Sequence, residues 1–358
     1  MKIKKRRTTK KTVLMVVCIL VAVYVIGSIS IIEYFYYDYF HRAEQEYYSK
    51  YLRWEDYDNF ERETVTFSSG KETLTGYIYG KDNISQGLVV VSHGLGSYSE
   101  KYIHETKYFV DNGFMVFAYD NTGSGASTGD SCVGLAQSMI DLDNALTYVE
   151  QNPVFAGLPI CLYGHSWGGY ATTAVLNYDH DIAAVASFAG YNDCLSQIVY
   201  VGKSILGPVV YAEYPFLWLT QYLTFGDKFG FTAADGINRA TDTSVMIIQG
   251  DLDDFVGYDG PCIYANRDKI TNPNTEFILL KDRDHNDLMM DHSTERLEYM
   301  AKIEEEYNRL SETYQGKVPD EVIQEWHAAL DKDLTSQLDE ELFADIVEFY
   351  QKAIARNQ

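Results

Sequence analysis

Eight short apolar runs recur through the middle of this chain, at 64–67, 74–79, 88–92, 114–119, 159–163, 182–188, 244–249 and 276–280. Helix-like stretches, such as 99–112, 135–151 and 167–178, separate most of them. Runs such as Leu88-Val-Val-Val91 and Phe114-Met-Val-Phe-Ala-Tyr119 are apolar at nearly every position, so strands built from them must bury both faces. Strands of this kind alternating with helices predict an α/β fold, a mostly parallel central sheet with helices on both faces. At 358 residues with 46% hydrophobic and 23% charged side chains, the chain is globular, not disordered or collagen-like. It is long enough to bury a core without disulfide or metal staples.

Two segments depart from the alternation. Residues 195–231 carry nine aromatic and only four charged side chains, and open a lid expected over 195–240. Residues 293–335 read as extra acidic helices, with Leu297, Met300, Ile303, Tyr307 and Leu310 at helical spacing and Pro319 as a break. Leu342, Ile346 and Phe349 mark a last amphipathic helix.

The N-terminus has a separate logic. Seven of the 29 Lys and Arg residues lie in the first twelve positions, and Thr12 to Ile32 is a run of 21 residues without a charge. At 1.5 Å per residue that run reaches roughly 30 Å, the thickness of a bilayer's hydrocarbon core. The preceding cations predict a cytoplasmic N-terminus and an extracytoplasmic body. Tyr34, Phe35, Tyr36, Tyr37, Tyr39 and Phe40 follow as an expected interfacial belt, with packing on the body as the alternative. The small residues Gly27, Ser28 and Ser30 keep a second reading open, a cleaved signal peptide and a secreted enzyme. The expected organisation is a basic N-terminus (1–11), a transmembrane anchor (12–32), an aromatic juxtamembrane linker (33–62) and one folded domain (63–358). Beyond residue 12 only 22 cations face 52 acids, which argues against binding the phosphate backbone of nucleic acid. No cysteine or histidine spacing suggests zinc, and whether Cys132, Cys194 and Cys262 form a disulfide stays open.

The chemistry centres on Cys161-Leu-Tyr-Gly164-His-Ser166-Trp-Gly168-Gly169, a G-x-S-x-G between an apolar strand and a helix. A serine on such a sharp turn takes a strained backbone, and its flanking glycines remove side chains that would clash. Serine nucleophiles need a base, and the base needs an orienting carboxylate. After the strand at 244–249 come Asp251, Asp253 and Asp254; after the strand at 276–280 comes His285. Both follow the carboxyl end of a strand, the edge where open α/β sheets build their sites.

With these motifs the sequence resembles the α/β-hydrolase superfamily over about residues 63–292 and the last helix. The resemblance is nearest the lysophospholipase, monoacylglycerol-lipase and serine-aminopeptidase branch. Further motifs are Ser92-His93-Gly94-Leu95-Gly96 and Asp120-Asn-Thr-Gly-Ser-Gly-Ala-Ser127. The resemblance implies a nucleophile at Ser166, a base at His285, an acid at Asp253 rather than Asp251 or Asp254, and an oxyanion hole from the backbone N–H groups of Leu95 and Trp167. It also makes 195–240 a lid. One departure is visible: many relatives have Arg where this chain has Thr122. The implied activity is hydrolysis of carboxylic esters through an acyl-enzyme, without metal or organic cofactor. The expected substrate is a small or lipid-like ester, of lysophospholipid or monoacylglycerol type. An aminopeptidase or amidase using the same residues is one competing reading; a catalytically idle binding module is another.

Overall fold

Period-two alternation sorts the strand side chains onto two faces, each covered by helices. The computed structural model describes residues 2–46, 48–82 and 86–357. β1 (Arg62–Ser69), β2 (Glu72–Tyr79), β3 (Gly87–Ser92), β4 (Phe114–Tyr119), β5 (Ile160–His165), β6 (Ile182–Phe188), β7 (Ser244–Gly250) and β8 (Thr275–Leu280) form one sheet. Their spatial order is β1-β2-β4-β3-β5-β6-β7-β8. Only β1–β2 and β2–β4 are antiparallel; the other neighbours run parallel. All six residues of β3, β4 and β5 are buried, as an apolar strand covered on both faces requires.

The helices are α1 (Lys2–Tyr39), α2 (Ile103–Asp111), α3 (Gln137–Gln151), α4 (Trp167–Ala174), α5 (Cys194–Leu206) and α6 (Val210–Phe225), then α7 (Ala233–Arg239), α8 (Thr294–Thr313), α9 (Asp320–Ala328), α10 (Lys332–Thr335) and α11 (Glu340–Asn357). Leu88 and Val90 point to the layer of α3 and α4, where Met139, Leu142, Leu146 and Val149 recur at helical spacing. Val89 and Val91 point to the layer of α2 and α11, where Phe109, Phe343, Ile346 and Tyr350 wait. α11 is pinned further by Tyr350, whose hydroxyl donates to the Leu162 carbonyl at 2.8 Å. The region expected as a lid holds α5, α6 and α7, and α8 to α10 fill the expected acidic tail.

Two features of the N-terminal third differ from the sequence reading. The helix that holds the apolar run does not stop near residue 32 but continues unbroken to Tyr39. The aromatics that follow the run also divide by face. Tyr34 and Tyr37 are exposed, whereas Ile32 and Phe40 are buried in the same core as Leu88 and Val90, with Tyr36 and Tyr39 packed against it. Each such large side chain removed from water contributes about 1.5–3 kcal/mol, enough to hold the helix end onto the domain. None of the five cysteines is paired.

Candidate active site

The carboxyl ends of β3, β5, β7 and β8 converge on one edge of the sheet. β5 ends at His165, α4 begins at Trp167, and Ser166 alone turns the chain between them at φ +57°, ψ −111°. That conformation costs a non-glycine residue about 1–3 kcal/mol and persists only where its surroundings enforce it. Here the Ser166 N–H donates to the Phe188 carbonyl at 2.8 Å, and its own carbonyl accepts from the Tyr170 N–H at 2.9 Å. The turn is so tight that α4 lies against β3. A Cβ on Gly168 would run into the Ser92 carbonyl, and one on Gly164 into the Gly168 carbonyl. Those contacts give the two flanking glycines their reason.

Ser166 Oγ lies 2.9 Å from His285 Nε2, and His285 Nδ1 lies 2.9 Å from Asp253 Oδ2. The three side chains, far apart in sequence, form one hydrogen-bonded relay, and all three are buried. Asp253 is held from several sides. Gln249 Nε2 donates to Oδ2 at 2.7 Å, and the N–H groups of Phe255 and Val256 donate to Oδ1 at 3.0 Å each. Burial pushes the Asp253 carboxyl pKa up, but these bonds and the neighbouring imidazole outweigh it and hold it below the ordinary carboxylate value. Asp251 instead faces Lys281 at 3.1 Å and the Asp282 N–H at 2.8 Å, while Asp254 is exposed.

Leu95, in the turn after β3, and Trp167 line the same cavity as Ser166. Trp167 opens α4, so its N–H belongs to the helix's first-turn donors, which have no intrahelical acceptor. Its indole is fully buried and donates to the Leu135 carbonyl at 2.8 Å. The Leu95 N–H is aimed by its neighbour. Buried His93 Nδ1 donates to the Gly94 carbonyl at 2.8 Å, and His93 Nε2 accepts from the Asn121 N–H at 2.9 Å. Because the Gly94–Leu95 peptide is planar and trans, fixing its carbonyl fixes the opposed N–H of Leu95. Gly96 follows, exposed in the turn.

Sequence reasoning left two groups unassigned. The Gly94 N–H donates to Tyr102 Oη at 3.0 Å, Tyr102 Oη lies 2.9 Å from His165 Nδ1, and His165 Nε2 lies 2.8 Å from the carbonyl of His285. This chain ties the Leu95 loop to the backbone of His285. Burial, then the charge of His285, hold the His165 pKa down at about 3, so the ring stays neutral and both its bonds keep their direction. The only sequence signal was that His165 occupies the first variable place of G-x-S-x-G. Thr122 gives its N–H to Asp141 at 2.7 Å and its hydroxyl at 3.0 Å; Ser69 and Gln137 supply further donors. Hydrogen bonds alone thus hold that carboxylate among these partners.

The cavity beside Ser166 is open to solvent and holds about 880 Å³ of empty space, the solvent at its mouth included. Apolar side chains from α1, α5, α6 and the loop at 255–256 line most of it. Gln197 and Glu213 are the charged or amide side chains in that wall. Each has one buried oxygen without a hydrogen-bond partner among the described residues.

Comparison with known proteins bears on the family and the fold. The serine aminopeptidase (S33) family model matches residues 83–210. The chain is 33% identical over 85 residues to a monoglyceride lipase of Homo sapiens, and 31% identical over 91 residues to a monoglyceride lipase homolog of monkeypox virus. Those stretches cover 24% and 25% of this chain, and only 28% and 32% of the relatives' own length. Among solved structures, an esterase of Pyrococcus furiosus superposes with a TM-score of 0.50 at 19% identity, covering 70% of this chain and 91% of that one. That likeness speaks to the fold.

Proposed function

The chain belongs to the α/β-hydrolases, in their serine-aminopeptidase-like and monoglyceride-lipase-like branch, and from that premise we propose that it is a membrane-anchored serine hydrolase of lipid-like carboxylic esters. The observation that carries the proposal is the pair of 2.9 Å contacts running Ser166–His285–Asp253 at the wall of an apolar cavity.

In this mechanism the Ser166 hydroxyl gives its proton to His285 Nε2 as its oxygen attacks the ester carbonyl. Asp253, ionised and held by three other donors, keeps the proton on Nδ1 and stabilises the imidazolium. The N–H groups of Leu95 and Trp167 receive the oxyanion; losing one such donor typically costs about 100- to 1000-fold in rate. His285 then protonates the departing alcohol, and a water activated by the same ring releases the carboxylic acid from the acyl-enzyme. The apolar cavity favours an alkyl chain on the acyl side, as in monoacylglycerols or lysophospholipids.

Anchoring is supported by α1 itself. From Val13 to Ile31 most of its large apolar side chains are exposed, a surface that water does not tolerate and a bilayer does. The orientation proposed is N-terminus in the cytoplasm and catalytic domain outside, following the flanking cations. One observation favours a second reading, an aminopeptidase or amidase. The buried Glu213 carboxylate in the cavity wall would suit a substrate ammonium. Ranking kcat/KM for p-nitrophenyl acyl esters against aminoacyl p-nitroanilides separates the two: the proposal requires the esters to lead. Protease shaving of intact cells should degrade the body; a fully protected body would overturn the orientation.

A further inference from the structure

Five residues at the end of α1, Ile31, Ile32, Phe35, Tyr36 and Tyr39, and Phe40 just after it, line the cavity that also contains Ser166. Ile31 and Ile32 are at the same time the last residues of the uncharged run. The helix is fixed there by contacts along its length, not merely by its tail. Tyr24, well inside the run, donates its hydroxyl to the Ala212 carbonyl of α6 at 2.7 Å, and its ring meets Phe216 edge-on at 5.5 Å. Farther along, the Gln221 side chain of α6 donates to the Tyr36 hydroxyl. From Tyr24 to Ile32 the helix rises about 12 Å, so α6 runs beside the second half of the run. The exposed side of α6 and of the turn before it is itself apolar, with Val209, Tyr211, Leu219 and Leu223 exposed.

We propose that the end of the anchor helix is one wall of the acyl-binding site, so that α1 helps set which acyl chains reach Ser166. The proposal rests on the serine-hydrolase reading above and adds the residues that select the substrate. Val201 and Leu206 of α5 and Leu217 of α6 line the same cavity, so apolar side chains of α1 and of the lid region together bound the space beside Ser166. The occupant is a single alkyl chain of an ester whose carbonyl reaches Ser166. With the anchor in a bilayer, that chain has an apolar path inward, because Ile31 is exposed beside the hydrocarbon run and the buried Ile32 continues the same wall inside the cavity.

The test uses the full chain in detergent micelles, with p-nitrophenyl acetate and p-nitrophenyl dodecanoate as substrates and a fluorophosphonate as active-site probe. Ile32→Trp fills the wall and should lower the dodecanoate-to-acetate ratio of kcat/KM by about tenfold or more, the scale on which apolar pockets discriminate size. Phe35→Ala opens the wall and should shift the preferred chain length upward. Tyr37→Ala, on the exposed side of the same helix at 83% exposure, should leave the ratio unchanged. An unchanged ratio in both wall variants would overturn the proposal, as would an equal shift in Tyr37→Ala. Loss of probe labelling in both wall variants, with the wild type still labelled, would also overturn it by giving α1 a role in folding alone. Failure of the wild type to label would instead refute the serine-hydrolase reading.

Discussion

Replacing Asp253 by Asn exchanges one oxygen for an NH₂ group, and the surrounding hydrogen bonds determine where that group must sit. The carboxylate accepts from four N–H groups: Phe255 and Val256 on Oδ1, His285 and Gln249 on Oδ2. An asparagine keeps the first pair by placing its oxygen there, which turns its NH₂ toward His285 Nδ1. That NH₂ can only donate, so the imidazole must carry its proton on Nε2, facing Ser166 Oγ, and can no longer accept the serine proton. A wrong tautomer of this kind costs about 10⁴-fold in kcat, or about 5.5 kcal/mol of barrier. The donor-to-donor clash with Gln249 adds about 1–3 kcal/mol of destabilisation. Asp251→Asn loses only a solvent-screened contact with Lys281, and Asp254→Asn alters an exposed side chain, so both should keep most of the activity. Steady-state hydrolysis of p-nitrophenyl butyrate by the three variants, with Tm as the folding control, makes the comparison. Equal losses in all three, or an Asp253→Asn enzyme within tenfold of wild type, would mean that Asp253 does not set the His285 tautomer.

Other positions carry sharp expectations. Glu105 is buried, its Oε2 has no hydrogen-bond partner among the described residues, and burial pushes its carboxyl pKa up from 4.5 to about 7. A folded-state value above the unfolded one means a stabilising proton, fully present below about pH 4.5 and lost as pH rises through 7. Glu105→Gln should therefore gain about 3 kcal/mol at pH 8 and little at pH 4, read as a Tm difference of several degrees that grows with pH; a pH-independent difference would contradict this. Gly168→Ala would drive a methyl group into the Ser92 and His93 carbonyls at the start of α4. Activity should fall at least 100-fold with a lowered Tm, and a near-normal enzyme would show that the turn is looser than these contacts imply.

The sheet was legible because its strands are apolar at nearly every position and punctuated by turns. The 88–92, 114–119 and 182–188 runs fall within a residue of β3, β4 and β6. The order Ser166, Asp253, His285 was equally legible, since each follows a strand. Less visible was Tyr102–His165, whose role comes from a tertiary contact with the His285 carbonyl that no local pattern encodes. The end of α1 was hidden for another reason. A helix that is apolar all round has no periodicity, so nothing in Ile31-Ile-Glu-Tyr-Phe-Tyr36 marks which side turns to the domain and which to lipid. A boundary at residue 33 therefore looked like the start of a linker, where the helix instead runs on into the cavity wall.

A nucleophilic Ser166 at the head of an acyl-transferring relay can be trapped covalently. The most direct measurement is mass spectrometry of peptides from full-length protein treated with a fluorophosphonate probe, run beside Ser166→Ala and His285→Ala. The expected result is one modified peptide, with the adduct on Ser166, absent in Ser166→Ala and formed far more slowly in His285→Ala. An adduct on another residue, or labelling that survives Ser166→Ala, would contradict it.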